Sequence, residues 1–183
     1  MMNRRNLMVA LTSTAMAATA VSLAGCASNQ VTNYAAEKPV LELSRYLNGT
    51  LDAHGIFTDR SGAVVKRFTV LMVGSWQGDA GTLDEDFTYS DGSRQKRIWH
   101  LRKTGPGVYE GRADDVVGVA QGRASGNAFH WTYTMALPVD GRVIEVQFDD
   151  WMYLVDERVM LNKARMSKFG ITLGEVTLSF GKR

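Results

Sequence analysis

Three histidines, His54, His100 and His130, are the side chains of this 183-residue chain best suited to zinc or copper, which imidazole nitrogens favour. They fall on three separate segments, and no HxH or HxxxH pair pre-forms two ligands, so three independent polar positions are the better reading. Carboxylates come in runs: Asp84-Glu85-Asp86, Asp114-Asp115 and Asp149-Asp150. Such acids can hold calcium or act as general acid and base, but that chemistry needs a fixed separation and split pKa values. Neither the spacing nor any EF-hand pattern supplies one, and the runs read as solvated strand ends. Asp149-Asp150 differs. It interrupts an apolar stretch (Val146, Phe148, Trp151, Met152, Tyr153) where an uncompensated charge is costly, and Lys163, Arg165 and Lys168 are candidate partners. No serine stands in a GxSxG elbow, and no GxGxxG, P-loop or HExxH motif is present. Neither catalysis nor a cofactor or metal is expected.

The remaining reactive side chain is Cys26, the one cysteine in the chain. Arg4 and Arg5 form a short positive start, and Leu7 to Leu23 is apolar, small and uncharged. That run is shorter than the ~20 residues of a spanning helix and fits the apolar region of a signal peptide. Leu23-Ala24-Gly25-Cys26 then resembles the bacterial lipobox, in which a thiol at the first mature position accepts diacylglycerol. The reading is a lipoprotein signal peptide over 1–25, lipidation at Cys26, and a membrane as partner through the anchor. Ala27 in place of Asp favours the periplasmic face of the outer membrane. Acylation leaves no thiol for a disulfide, so the domain must hold by packing alone.

The charge balance excludes one class of partner. Of 21 Lys and Arg, Arg4 and Arg5 leave with the signal, and the remaining 19 face 19 Asp and Glu. With no basic run, nothing supports a nucleic-acid ligand.

The elements that must position these groups are strands. Residues 26–39 are polar and patternless and read as a tether; 40–183 read as one domain, with Val40 to Leu47 a short helical or extended entry. From Asn48 onward, turn signals such as Asp59-Arg60-Ser61-Gly62, Ser90-Asp91-Gly92 and Ser125-Gly126-Asn127 separate alternating segments. Phe129, Trp131, Tyr133, Met135 and Leu137 share one face, with His130, Thr132 and Thr134 opposite. Trp151 to Ser167 reads as two strands around Asp156-Glu157-Arg158. The spacing predicts an all-β antiparallel barrel of about 8–10 strands.

Two resemblances add to this. Tyr46-Leu47-Asn48-Gly49-Thr50, then Gly55 and Asp59-Arg60-Ser61-Gly62, resemble the opening strand and turn of a lipocalin-like barrel, although the usual tryptophan is absent. The segments 48–62 (NGTLDAHGIFTDRSG), 82–92 (TLDEDFTYSDG) and 148–180 resemble an uncharacterised family of bacterial lipoproteins defined only as a domain of unknown function. That family implies no activity and no catalytic residue. The tendency of its members to be encoded beside enzymes that modify membrane acyl chains points toward lipids.

Tryptophans, tyrosines and methionines are abundant, a mixture that suits either a packed core or a pocket for acyl chains. The candidate ligand-binding residues are Phe129, Trp131, Tyr133, Met135, Asp149 and Asp150. Two roles follow: a membrane-anchored barrel that binds or presents a fatty acyl chain or lipid, or a non-catalytic accessory lipoprotein whose barrel is filled. An open lumen above ~300 Å³ separates them.

Overall fold

The computed structural model describes residues 29–139 and 141–183. The expected signal peptide over 1–25 and the expected lipidation site Cys26 lie outside the described residues. Ten strands follow one another: β1 (Gly49–Asp59), β2 (Val64–Gln77), β3 (Ala80–Tyr89), β4 (Arg94–Gly105), β5 (Val108–Arg112), β6 (Val116–Ser125), β7 (Ala128–Val139), β8 (Arg142–Leu154), β9 (Val159–Lys168) and β10 (Ile171–Lys182). Each pairs antiparallel with the next, and β1 pairs with β10, so the sheet closes into a lipocalin-like barrel without free edges.

Alternation explains why these segments are strands. In β9, Met160, Asn162, Ala164 and Met166 are buried while Leu161, Lys163 and Arg165 are exposed, one face inward and one in water. The stretch 151–167 is two strands, as its hairpin signal predicts. The Asp156 carboxylate accepts the backbone N–H groups of Arg158 and Val159 at 2.7 and 2.8 Å, the local bonding that makes aspartate a turn former.

A meander of this kind has two unlike ends. The turns β1–β2, β3–β4, β5–β6, β7–β8 and β9–β10 gather at one; the other four turns and both ends of the barrel chain gather at the second. Residues 29–47 close that second end. A 3₁₀ turn (Val31–Tyr34) leads to a single helical turn, α1 (Leu43–Tyr46). Leu41, Leu43, Tyr46 and Leu47 are buried in the same cluster as Leu51, Leu101, Tyr109, Phe129 and Leu154. Tyr46 Oη donates to the Arg158 carbonyl at 3.0 Å, and Lys182 Nζ donates to the Arg45 carbonyl at 2.6 Å. Gly74 admits this plug, since a Cβ there would stand 1.5 Å from the Leu47 carbonyl oxygen.

The described part of the segment expected as a tether therefore lies against the barrel. Val31 is buried, Tyr34 packs edge-on to Tyr153 at 5.3 Å, and the Leu41 N–H donates to the Gly126 carbonyl at 2.8 Å. Two isolated turns are too short to show a hydrophobic period, which is why the sequence pattern conceals this packing.

Candidate ligand-binding cavity

The plug fills only half of the barrel. Toward the five-hairpin end the inward side chains stand around a cavity of about 820 Å³. Trp99, Trp131, Met72, Met152 and Phe180 form its floor. Trp99 and Trp131 lie 4.7 Å apart between ring centroids, and the Tyr133 ring stacks on Phe148 at 5.0 Å. The wall built by β7 to β10 and β1 is apolar, with Met135, Val146, Phe148, Ala164 and Met166 packed beside Leu137, Ile144 and Leu173.

The facing wall, from β3 and β4 with the β5–β6 turn, is polar. Arg97 holds Asp115 through two guanidinium nitrogens, Nε at 3.0 Å and Nη2 at 2.8 Å from Oδ2. Its Nη1 stands 3.6 Å from Glu85 Oε2. Burial pushes the Glu85 carboxyl up to about 7, against the pull of the Arg97 charge. Burial also raises the Asp150 carboxyl. Among the described residues Asp150 has no cation partner, but it is well bonded: Trp131 Nε1 and Tyr133 Oη each donate to Oδ2 at 3.0 Å, and Asn162 Nδ2 donates to Oδ1. Three neutral donors converging on a buried carboxylate keep that group fixed in the lumen. The cavity is thus amphipathic: one wall is largely apolar, the facing wall carries the Arg97–Asp115 ion pair and Glu85, and the Asp150 carboxyl stands on β8 beside the Trp131 floor.

The sequence profile described as "Protein of unknown function (DUF3833)" matches residues 20–182. The chain belongs to the DUF3833 family. No curated protein matches it. Among solved structures, this DUF3833 member resembles the S-type phycobiliprotein lyase of Guillardia theta, with 8% identity, a TM-score of 0.59, and coverage of 85% of this chain and 98% of that one. A protein of unknown function from the DUF3598 family of Nostoc punctiforme matches at 14% identity and a TM-score of 0.49, over 81% of this chain and 51% of that one. At such identities the likeness to the lyase speaks to the fold.

Of the residues expected at a site in this DUF3833 chain, Trp131, Tyr133, Met135 and Asp150 line the cavity. Phe129 does not. It is fully buried in the sealed half, edge-on to Tyr109 at 5.8 Å. Asp149 is a correction of another kind. Neighbours on a strand point to opposite faces, so only one of the two aspartates can face the lumen. Asp149 lies on the outer wall, where Arg165 Nη2 lies 2.8 Å from Oδ2, Trp151 Nε1 donates to Oδ1 at 3.1 Å, and His130 Nε2 is 2.7 Å away. Of the other candidate cations, Lys163 pairs with Glu175 at 3.1 Å and Lys168 reaches the Glu145 carbonyl.

The polar wall departs from the expectation that the acidic runs are solvated strand ends. Asp84 and Asp86 do face outward, toward Lys96. Glu85 between them is buried. The signal was there: Leu83, Glu85, Phe87 and Tyr89 share one parity, and the apolar three mark the inward face. His54 and His100 stand on the outer wall with His130, on different strands, and among the described residues no three His, Cys, Asp or Glu gather as a metal ion requires.

Proposed function

We propose that this protein is a lipid-anchored carrier that holds one amphipathic hydrophobic ligand, a fatty acyl chain or lipid, in the open half of its barrel. The observation that carries the proposal is the amphipathic cavity. Its volume of about 820 Å³ lies within the range of small-molecule sites, and a barrel built only for stability gains nothing from leaving it unfilled. Each acyl methylene removed from water contributes about 0.8 kcal/mol, so about twelve contribute roughly 10 kcal/mol before association costs, and the affinity belongs in the micromolar range. The anchor rests on Leu23-Ala24-Gly25-Cys26.

The cavity is tested by titrating residues 29–183 with long-chain fatty acids and following the fluorescence of Trp99 and Trp131, which form its floor. Every strand, the plug and the core lie within those residues, so they make a complete folding unit. Ala164 faces the lumen from β9, and Ala164→Phe should occupy the space, leaving the melting temperature nearly unchanged while abolishing binding. A wild-type domain that binds no acyl chain at high micromolar concentration ends the carrier reading in favour of the accessory role. For the anchor, an alkyne fatty acid should label the wild-type chain in cells and not Cys26→Ser; a wild-type chain that takes up no label refutes it.

A further inference from the structure

The five hairpins around the cavity mouth are not alike. In barrel order, β1–β2, β9–β10 and β7–β8 are neighbours, and all three carry large apolar side chains in water: Val64 and Val65, Phe169 and Ile171, Val139 and Val143. Phe169 is 87% exposed and Val143 71%. The other two hairpins are polar at their tips, Ser90-Asp91-Gly92-Ser93 and Ala113-Asp114-Asp115. The mouth therefore has an apolar lip and a polar lip. The apolar lip continues inward: Val139, Leu137, Ile144 and Leu173 line the cavity directly beneath it.

Phe169 is the sharpest feature. With Gly170 it makes the two-residue turn of the β9–β10 hairpin, at φ +50 beside a glycine at φ +77. Both central positions have positive φ, a turn that asparagine or glycine adopts at low cost and phenylalanine does not. An aromatic ring is thus held in an unfavourable backbone conformation, at a tip, where it is also unfavourably hydrated. Features costly to the folded chain alone point to a role outside it. Cations accompany the lip, with Arg60, Arg142 and Lys168 on the same three hairpins and Lys168 Nζ 4.9 Å above the Phe169 ring. Asp59 is turned back on its own turn, accepting from Ser61 and Ala63.

We infer that the apolar lip docks on a lipid bilayer, with Phe169, Ile171, Val139, Val143, Val64 and Val65 entering below the headgroups and Arg60, Arg142 and Lys168 at the phosphates. The inference rests on the carrier reading for its purpose: the lip, at the barrel end opposite residues 29–47, is then a ramp by which an acyl chain passes between a bilayer facing that end and the lumen without crossing water. Long basic side chains beside apolar ones are the composition of an interfacial site.

Flotation with phosphatidylcholine vesicles, with and without phosphatidylglycerol, tests it on residues 29–183, which omit the apolar segment 7–23. The wild-type domain should float, more strongly with the anionic lipid. Phe169→Ser combined with Ile171→Ser should lower partition by about tenfold or more, and Val143→Asp likewise, while Leu71→Ser on the outer wall changes nothing. These side chains are exposed, so the variants should melt as wild type and still bind fatty acid in solution, which separates the lip from the cavity. A wild-type domain that stays soluble with both vesicle types, or lip variants that float as well as wild type, overturns the inference.

Discussion

Toward α1, the plug side chains Leu43 and Leu47 share one buried cluster with Phe129, Tyr109, Leu101 and Leu154. Toward the five hairpins, Met135, Val146, Phe148 and Met166 form a smaller cluster that lines a space instead of filling it. The two halves share the same ten strands and differ in what the chain before β1 contributes. That segment enters one end only, so stability concentrates there and the other end is free to specialise. A domain whose core is secured at one end can tolerate a void and buried acids at the other.

The comparison breaks first at Gly74. Gly74→Ala places a methyl against the Leu47 carbonyl, and either plug or strand must move; the expected loss is about 3 kcal/mol or more in urea unfolding. Phe129→Ala, fully buried in the same half, should cost about 3–5 kcal/mol. Near-neutral outcomes at both positions would mean that the plug does not hold the fold.

The halves should also respond to pH with opposite sign. Glu42, at the sealed end, is buried in part, but the hydrogen bonds from Tyr109, Lys103 and Ser44 outweigh that burial and hold its carboxyl below the ordinary range. A depressed carboxyl adds stability above its ordinary value and loses it on acidification. Glu85 is the reverse. Its folded value of about 7 lies above the ordinary 4.5, so between those values the folded state binds more protons than the unfolded one. Stability therefore falls as pH rises through that window, by roughly 3 kcal/mol in all. Unfolding free energies measured from pH 4 to 8 should show that fall in the wild type and a smaller one in Glu85→Gln, where the buried Asp150 carboxyl remains, whereas Glu42→Gln should be destabilised at neutral pH and match wild type in acid. A Glu85→Gln profile parallel to wild type would place Glu85 in water.

How much of this was legible in the sequence follows from which physical rule each feature obeys. Period-two alternation and turn residues are local, so the barrel, the 155–158 turn and the shared face of Trp131, Tyr133 and Met135 could be read directly. The fate of Phe129 on that same face could not, because what distinguishes it from Met135 is the plug, a non-local contact with residues 41–47. Asp149 and Asp150 were legible in principle, since alternation forbids both from facing inward. Glu85 was hidden by its neighbours Asp84 and Asp86, which made an inward strand position look like an acidic surface run. Arg97 with Asp115 was beyond reach, because a strand and a distant turn meet only once the barrel closes.

The smallest expected effect is the most discriminating. Leu137 is half-buried and borders the cavity from β7, opposite Ile144. Removing a leucine from a tight core costs about 2.7–5 kcal/mol because a new void opens and cannot collapse. At Leu137 a void already exists, and the lost atoms merge with it, so only part of the transfer contribution disappears. Leu137→Ala should therefore cost less than about 1 kcal/mol in urea unfolding, while weakening acyl binding a few-fold through lost contacts. The pair Phe129→Ala and Leu137→Ala, two apolar truncations on the same strand and the same face, then measures the division of the barrel directly. If both cost several kcal/mol, the open half is packed in solution and the cavity is not a binding site; if stability barely moves at Leu137 while ligand affinity does, that wall of the barrel serves the ligand more than the fold.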